Sequence, residues 1–315
     1  MFLYQISGGD KPTQDVISAI RKYAPILNYL HFFAQDGSSA HERFTDNIDG
    51  TFDTRSTATS FDTEEFTPVW GDFILKAYGK TVKLDTLVEE QGFAVASEMA
   101  IKLLSWAENA GRSLQSRFMD DSTAVNAEQT NGLKKLVALA TVSDATRTLN
   151  AGGDNGLQVL TGNDNTARKS QQALVEQIKN LIANVGGANC MLMDFALLSR
   201  LSTVASDICD ITLNEFGVQI GNFLGVPIVP LWNKFDGTPI MPWTETVGTS
   251  TDCNSVYAFR SGEKAHLTAM TTKAGLKVYP MQLVTDKYQH LVQFQMGLGT
   301  LSSQCIGRLK GIRLG

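Results

Sequence analysis

A strand-like segment that runs directly into one long amphipathic helix constrains this chain more than any other feature. Between Ile74 and Leu84, β-branched and aromatic side chains recur at the spacing of a strand. The period then becomes helical, with apolar positions at Phe93, Ala96, Ala100, Leu103, Ala107, Ala110 and Leu114. At 1.5 Å per residue, this helix would be about 40 Å long. A ribbon joined to such a rod indicates a part that reaches neighbouring molecules.

Composition and charge exclude several classes of protein. The chain has 315 residues, 43% hydrophobic and 19% charged, which is typical of a globular protein with one large or two ordinary domains. The sequence lacks the long uncharged apolar run that would predict a membrane span, and its first residues lack the pattern of a secretion signal. The formal charge of −5 argues against a dedicated nucleic-acid binder, although a container can enclose nucleic acid without gripping it.

Cysteine spacing gives a further expectation about the compartment. The chain has four cysteines, Cys190, Cys209, Cys253 and Cys305, and they lie far apart without any paired spacing. Such a pattern is typical of reduced thiols rather than of a disulfide framework or a metal site. We therefore expect a cytosolic product.

Helical and strand patterns alternate irregularly along the rest of the chain, which predicts an α+β fold. The spacing predicts a second amphipathic helix over 166–185. Residues 190–193 are typical of a buried strand, and Asp194 of a cap for the helix that follows. The apolar run 137–142 is predicted to join the C-terminal strands in a sheet beneath the rod, and 223–230 to form one short strand.

The first fifty residues have the pattern of an arm. Thr13 is predicted to cap a short helix that Pro25 interrupts. The apolar run 26–33 has no obvious local core, so we expect it to dock on another element or on another subunit. Farther along, 55–60 is predicted to be the outgoing strand of a hairpin, with its tip around 62–71 and the ribbon as its return strand.

No motif in the sequence predicts catalysis. Ser261-Gly262-Glu263-Lys264 has the spacing of penicillin-recognising acyl enzymes, but a turn between strands is predicted there and the companion motifs are missing. Gly297-Leu298-Gly299 lacks the third glycine and the helix of a dinucleotide site, so a buried bend is the better interpretation. The histidines, His31, His41, His266 and His290, have no metal-ligand spacing. We expect no catalytic, cofactor-binding or metal site, and no enzyme.

Five segments carry a resemblance through their order along the chain. They are Tyr78-Gly79-Lys80-Thr81-Val82-Lys83-Leu84-Asp85, the rod over 93–118 with its acidic end, Asn131-Gly132-Leu133, Phe223-Leu224-Gly225-Val226-Pro227-Ile228-Val229 and Arg308-Leu309-Lys310-Gly311-Ile312. In this order they resemble the extended loop, spine helix, following turn, axial strand and closing strand of the major capsid proteins of tailed bacteriophages. This Hong Kong-type fold is shared with encapsulins. The first fifty residues match no arm of that family.

The resemblance implies an α+β capsid fold with several parts. An N-terminal arm would occupy residues 1–50, and an extended β-hairpin loop 51–85. A peripheral domain would combine 86–169 with 285–315 and contain the spine helix at about 92–118. An axial domain would occupy 170–284.

Assembly is the function that the resemblance implies. The chain would form hexamers and pentamers of an icosahedral head shell that encloses viral double-stranded DNA. Contacts between subunits are expected at Phe61, Phe66, Trp70, Lys76, Tyr78, Phe32 and Phe33. For Phe61, Phe66 and Trp70, packing within the monomer is the alternative.

The implied partners are further copies of the chain, with portal and scaffolding or decoration proteins. DNA would be enclosed without sequence-specific binding, and neither a cofactor nor a membrane is implied. The protein would be part of the virion after assembly in the host cytoplasm. Two alternatives stay open: an encapsulin-type compartment around cargo enzymes, and an α+β enzyme whose site residues meet only in space.

Overall fold

The computed structural model describes residues 2–7, 9–37, 39–44 and 70–315. Its helices are α1 (Leu3–Ile6), α2 (Lys11–Tyr23), α3 (Leu87–Glu90), α4 (Val95–Asp120), α5 (Leu133–Ser143), α6 (Asn165–Asn184) and α7 (Phe195–Val204). Short 3-10 turns lie at Pro25–Asn28, Ala145–Arg147 and Ser303–Cys305. With the strands given next, these helices confirm the predicted α+β class.

The strands are distributed along the whole described chain. The first nine are β1 (Phe32–Gln35), β2 (Ser39–Arg43), β3 (Trp70–Ile74), β4 (Lys76–Asp85), β5 (Thr148–Asn150), β6 (Leu157–Val159), β7 (Cys190–Asp194), β8 (Cys209–Leu213) and β9 (Gln219–Phe223). The others are β10 (Val226–Leu231), β11 (Glu245–Val247), β12 (Ser250–Phe259), β13 (Ser261–Gly262), β14 (Ala265–Thr272), β15 (Lys277–Val278), β16 (Gln282–Val284), β17 (Lys287–Thr300) and β18 (Ile306–Leu314).

The N-terminal region packs into the core of its own chain. Asp10 rather than Thr13 caps α2, because the Asp10 carboxylate accepts from the backbone N–H of Thr13, and Thr13 itself lies buried inside the helix. Pro25 ends the helix as predicted, at the start of a 3-10 turn. Ile26, Leu27 and Leu30 of the apolar run 26–33 belong to the main hydrophobic core. The predicted docking of this arm therefore takes place on the same chain.

The predicted rod is confirmed as α4, one unbroken helix of 26 residues. Its length is about 39 Å at 1.5 Å per residue. The helix crosses α2 at Gly111, where a Cβ atom would lie 2.9 Å from the Ile20 carbonyl oxygen. Leu103 and Ala107 face this core, whereas Ala96 and Ala100, which were predicted on the same face, are exposed.

Residues 137–142 form part of helix α5 and do not join a sheet, so this prediction was wrong. The buried positions Leu133, Leu136, Val137 and Ala140 recur at helical spacing. The composition of a short apolar run is the same for a buried strand and for a buried helix. The segments that pack around the run decide which of the two it forms. The rod therefore packs on α2, β4 and α5.

The ribbon belongs to a seven-stranded sheet with the order β1-β14-β17-β15, in which β4 and β16 also pair with β17 and β13 pairs with β14. Strand β4 is antiparallel to β17 from Lys76 opposite Met296 to Asp85 opposite Lys287. This part of the ribbon thus lies within a sheet instead of projecting. Strand β3 pairs with β2, from Ser39 opposite Ile74 to Arg43 opposite Trp70. The predicted outgoing strand 55–60 lies outside the described residues.

A nine-stranded sheet has the order β5-β18-β12-β7-β10-β9-β8, with β6 on β18 and β11 on β12. Helices α6 and α7 pack on it and enclose a second core through Leu174, Ile178 and Leu181 of α6 and Leu197, Leu198 and Leu201 of α7. The predicted helix over 166–185, the strand at 190–193 and the Asp194 cap are confirmed.

Two glycine-containing segments differ from their predictions. The single strand predicted over 223–230 is a hairpin of β9 and β10, whose two-residue turn holds Leu224 and Gly225 at φ 51° and 83°. Such turns need positive φ at both positions. Gly297 and Gly299 do not form a bend but lie inside β17, where a Cβ atom on Gly299 would lie 2.3 Å from the Phe73 ring.

The two sheets do not follow the predicted domain boundaries. Strands β14 and β15 lie within 170–284, which was predicted as axial, yet they pair in the seven-stranded sheet. Strand β18 lies within 285–315, which was predicted as peripheral, yet it occupies the interior of the nine-stranded sheet. The chain crosses between the sheets at Arg260, whose N–H donates to the Cys305 carbonyl.

Candidate assembly surfaces

Tyr78 fixes the ribbon to the C-terminal end of the rod. Its hydroxyl donates to Asp121 Oδ2 over 3.1 Å and accepts from the Thr130 N–H over 3.2 Å. The Arg117 guanidinium lies 5.3 Å from the centre of the Tyr78 ring, and its Nη1 is 3.4 Å from the same Asp121 oxygen. Within its own chain Tyr78 is thus an anchor, and its predicted contact with another subunit stays a prediction.

Burial controls the protonation of this group of side chains. Desolvation raises the pKa of the Tyr78 hydroxyl and that of the Asp121 carboxyl, while the Arg117 charge lowers the pKa of Asp121. The Tyr78 hydroxyl therefore stays protonated at neutral pH and can donate to the carboxylate. The arrangement is a structural anchor, without a nucleophile beside a base.

The other predicted contact residues fall into three groups. Phe32 and Phe33 are buried in the cores of their own chain, so we no longer propose them as subunit contacts. Trp70 is exposed at the start of β3, and Lys76 is half-buried at the start of β4. Phe61 and Phe66 lie outside the described residues.

An apolar stripe, formed by the N-terminal half of the rod and by Phe93 just before α4, is exposed among the described residues, and we call it the spine stripe. It consists of Phe93, Ala96, Ala100, Ile101 and Leu104. Phe93 is 54% exposed, Ile101 61% and Leu104 46%. The sequence pattern had placed Phe93, Ala96 and Ala100 on the buried face and did not include Ile101. The sequence feature that could have indicated the spine stripe is the width of the apolar face of α4, which is greater than one neighbouring element can cover.

Aromatic and cationic side chains line a cavity of about 580 Å³ between α2, α4 and the ends of β7 and β10. The rings of Phe195 and Trp232 stack there at a centroid distance of 4.5 Å. Lys22 and Arg112 lie on the lining as well. These groups can hold an anionic or aromatic group, but the lining presents no nucleophile paired with a base.

The cysteines and Ser261, which could carry chemistry, are buried. All four cysteines are free and buried, and burial raises the pKa of the Cys209 thiol to about 11. Ser261 lies in a strand, where its Oγ accepts from the His31 N–H. Among the described residues, no three His, Cys, Asp or Glu side chains come together to hold a metal ion. No helix in the described ranges has the length and apolar character that crossing a membrane requires.

Comparison by sequence finds no matching family model and no matching curated protein. Solved structures match over nearly the whole chain. The holo-SrpI encapsulin complex from Synechococcus elongatus PCC 7942 has a TM-score of 0.61 at 13% identity and covers 98% of this chain and 94% of that chain. The capsid of the native GTA particle has a TM-score of 0.54 at 13% identity, covering 92% and 90%. A chain from Microbacterium phage Oxtober96 has 0.53 at 14%, also covering 92% and 90%.

The protein has the Hong Kong-type capsid fold. In this capsid fold α4 is the spine helix, and β4 is the strand that leads into it, as the sequence predicted. The solved neighbours are phage capsid and encapsulin shell proteins. Among the described surfaces, the spine stripe is an exposed apolar surface that another subunit could cover.

Proposed function

We propose that this protein is the subunit of a closed icosahedral shell, built from hexamers and pentamers of one chain. The capsid fold carries the proposal, because it matches shell proteins over at least 90% of both chains. Rings of this kind use heterologous contacts, in which one surface of a subunit meets a different surface of the next. Further copies of the chain are thus its principal partners.

The spine stripe supports assembly on physical grounds. Water contact with apolar side chains is unfavourable, and full burial of one Ile, Leu or Phe stabilises by about 1.5–3 kcal/mol. Phe93, Ile101 and Leu104 are about half exposed in the monomer, so each would supply a part of this stabilisation when another copy covers it. A monomer gains none of this free energy.

We propose that the shell is a phage head and that it encloses viral double-stranded DNA. The formal charge of −5 suits a wall that encloses DNA without sequence-specific binding, because gripping phosphates needs a basic surface. The expected partners are then portal and scaffolding or decoration proteins, and the expected location is the virion, after assembly in the host cytoplasm.

An encapsulin-type compartment around cargo enzymes is the second candidate. It is favoured by the TM-score of 0.61 with the SrpI encapsulin complex, compared with 0.54 for the GTA capsid. Both candidates require the same shell, and they differ in what the shell encloses and which genes accompany it.

Native mass measurement and electron microscopy of the purified full chain test the shell. Megadalton closed particles are expected, whereas small oligomers at high concentration would contradict the proposal and favour an enzyme. Nuclease-protected DNA inside particles from the natural source would favour the phage head. Co-purified cargo enzymes would favour the encapsulin, as would a neighbouring gene for such an enzyme in place of portal, terminase and maturation-protease genes.

A further inference from the structure

Strand β8 forms one edge of the nine-stranded sheet, and Asp210 is its one charged residue. Its five residues pair continuously with β9, without a bulge, and they include neither Pro nor Lys. All residues of β8 after Cys209 are exposed. Natural proteins blunt such edges with charges, prolines, bulges or covering loops, because an open edge pairs readily with another strand. An edge as regular as β8 indicates a partner strand.

The hydrogen-bond phase of β8 fixes which backbone groups point outward. Leu224 N–H donates to the Ile208 carbonyl, and Asn214 N–H donates to the Val218 carbonyl. Bonded and non-bonded pairs alternate along an antiparallel ladder, so Asp210 and Thr212 direct their N–H and C=O groups at β9. Ile211 and Leu213 then direct theirs at the open edge.

The side chains of the outward-directed residues are exposed as well. Ile211 is 37% and Leu213 68% exposed, on the face of the sheet that α7 covers only as far as the buried Cys209. Asp210 and Thr212 lie on the opposite face. The edge thus offers two donors, two acceptors and two apolar side chains in one short row.

We propose that β8 pairs antiparallel with β8 of a second copy about a two-fold axis at Thr212. In this register Ile211 bonds with Leu213 of the partner subunit, and Leu213 with Ile211 of the partner subunit. Four backbone hydrogen bonds result, and they use every outward group of both residues. The exposed Ile211 and Leu213 side chains cover each other across the strands.

Available donors, charge and cross-strand pairing together select this register over its neighbours. Axes at Ile211 or Asp210 have the same hydrogen-bond phase, but they pair Leu213 or Ile211 with Cys209, whose N–H already donates to the Ala205 carbonyl. The axis at Asp210 would also place the two Asp210 carboxylates directly opposite each other, which is unfavourable. An axis at Thr212 places two threonines opposite each other, a favourable cross-strand pair, and keeps the carboxylates apart. The strand is therefore complementary to itself, and the contact is isologous.

Disulfide trapping tests the pairing in the full-length protein. Thr212 and its symmetry mate form a non-bonded pair with Cα atoms about 4.5 Å apart. This distance lies in the disulfide range of roughly 4.4–6.8 Å, so oxidised Thr212→Cys should give a covalent dimer on a non-reducing gel. The native cysteines are buried and do not compete.

Ile211→Cys is the matched control, because its symmetry mate would lie diagonally, about 7–8 Å away, which is too far for a disulfide. In the Thr212→Cys background, Ile211→Pro removes an outward N–H without touching the β9 ladder and should abolish the covalent dimer. An unchanged melting temperature of Ile211→Pro would establish that β8 is still folded. Equal trapping at both cysteine positions, or trapping that survives the proline, would overturn the proposal.

The pairing of β8 with β8 rests on the proposed shell function and adds one specific contact to it. Experiment can refute the contact and the shell independently. Closed particles in which Thr212→Cys forms no dimer would overturn the β8 contact and leave the shell intact. Trapped dimers that never form particles would establish the contact and refute the shell.

Discussion

At the scale of single residues, two hydrogen-bonded groups tie together parts of the chain that are far apart in sequence. Tyr78 joins the ribbon to the end of α4 through Asp121 and Thr130. Arg260 joins the two sheets, because its Nη1 donates to the Gly186 carbonyl beyond α6 and its Nη2 to His266 Nδ1 on β14. Each group is polar and partly buried, so its loss leaves a partner without compensation.

Tyr78→Phe should lower the free energy of unfolding by about 1–3 kcal/mol, because it leaves the buried Asp121 carboxylate and the Thr130 N–H without the hydroxyl. Urea denaturation of unassembled protein measures this loss. Tyr288→Phe is the control, since it removes a similar hydroxyl bond, to Glu89, at an exposed site. Its effect should be much smaller, and equal losses in the two variants would contradict the anchoring role of Tyr78.

His266 should make the protein less stable in mild acid. Burial, and then the Arg260 charge, lower the pKa of His266 below its ordinary value of 6.5. The Arg260 guanidinium can only donate, so Nδ1 of His266 must be unprotonated to accept its hydrogen bond. As the pH falls below about 6.5, the unfolded chain binds a proton that the folded chain resists, and stability declines.

His266→Gln keeps an acceptor for Arg260 but cannot titrate, so it should lose less stability than the wild type between pH 7.5 and 5. Melting temperatures across this range provide the measurement. Burial also lowers the pKa of His31, so part of the decline should persist in the variant. If both proteins lose stability in parallel, His266 is not a source of the pH dependence.

At the scale of elements, strong periodic patterns were predictable and short apolar runs were not. The rod α4 and helix α6 repeat their apolar positions over several turns, and the structure confirms both. The run 137–142 is too short for its period to decide between strand and helix. Residues 223–230 concealed a turn because Leu224, a residue that rarely adopts positive φ, occupies it beside Gly225.

The candidate contacts were harder to predict than the elements that carry them. An apolar sequence does not reveal whether its own chain or another subunit covers it, and this is why Phe32 and Phe33 were misplaced. The opposite error concerned Ala96 and Ala100, which were assigned to the core although this part of the rod buries Met99 and leaves both alanines exposed. Both outcomes depend on tertiary packing between distant segments.

Ile101→Asp should prevent or strongly weaken particle formation while leaving the monomer stable. Ile101 is already 61% exposed, so its replacement should change monomer stability by no more than about 0.5 kcal/mol. Lys102→Gln is the control, because it also makes the net charge one unit more negative, at an exposed position on a different side of α4. Sedimentation should detect particles for Lys102→Gln and not for Ile101→Asp. Particles from both variants would remove the spine stripe from the assembly surface.

At the scale of the whole molecule, the seven-stranded sheet, the nine-stranded sheet and the rod form the framework of the described chain, and the spine stripe and β8 are two of its exposed surfaces. The seven-stranded sheet carries β4 and the rod, the nine-stranded sheet ends at β8, and β17 leads into β18 to join them. Phe44 and Trp70, which flank residues 45–69 in the sequence, lie at the same end of the pair formed by β2 and β3.

The double variant Phe61→Ala/Phe66→Ala, within residues 45–69, separates the two interpretations of these side chains. If they contact neighbouring subunits, the variant should unfold at the same urea concentration as the wild type but should form no particles. If they pack within the monomer, each truncation should cost about 3–5 kcal/mol, and unfolding should shift before assembly is tested. Thr57→Ala/Thr59→Ala changes two polar residues of the same segment and should assemble normally. Normal particles from the phenylalanine variant, with unchanged stability, would exclude both interpretations and leave the spine stripe and β8 as the candidate contacts.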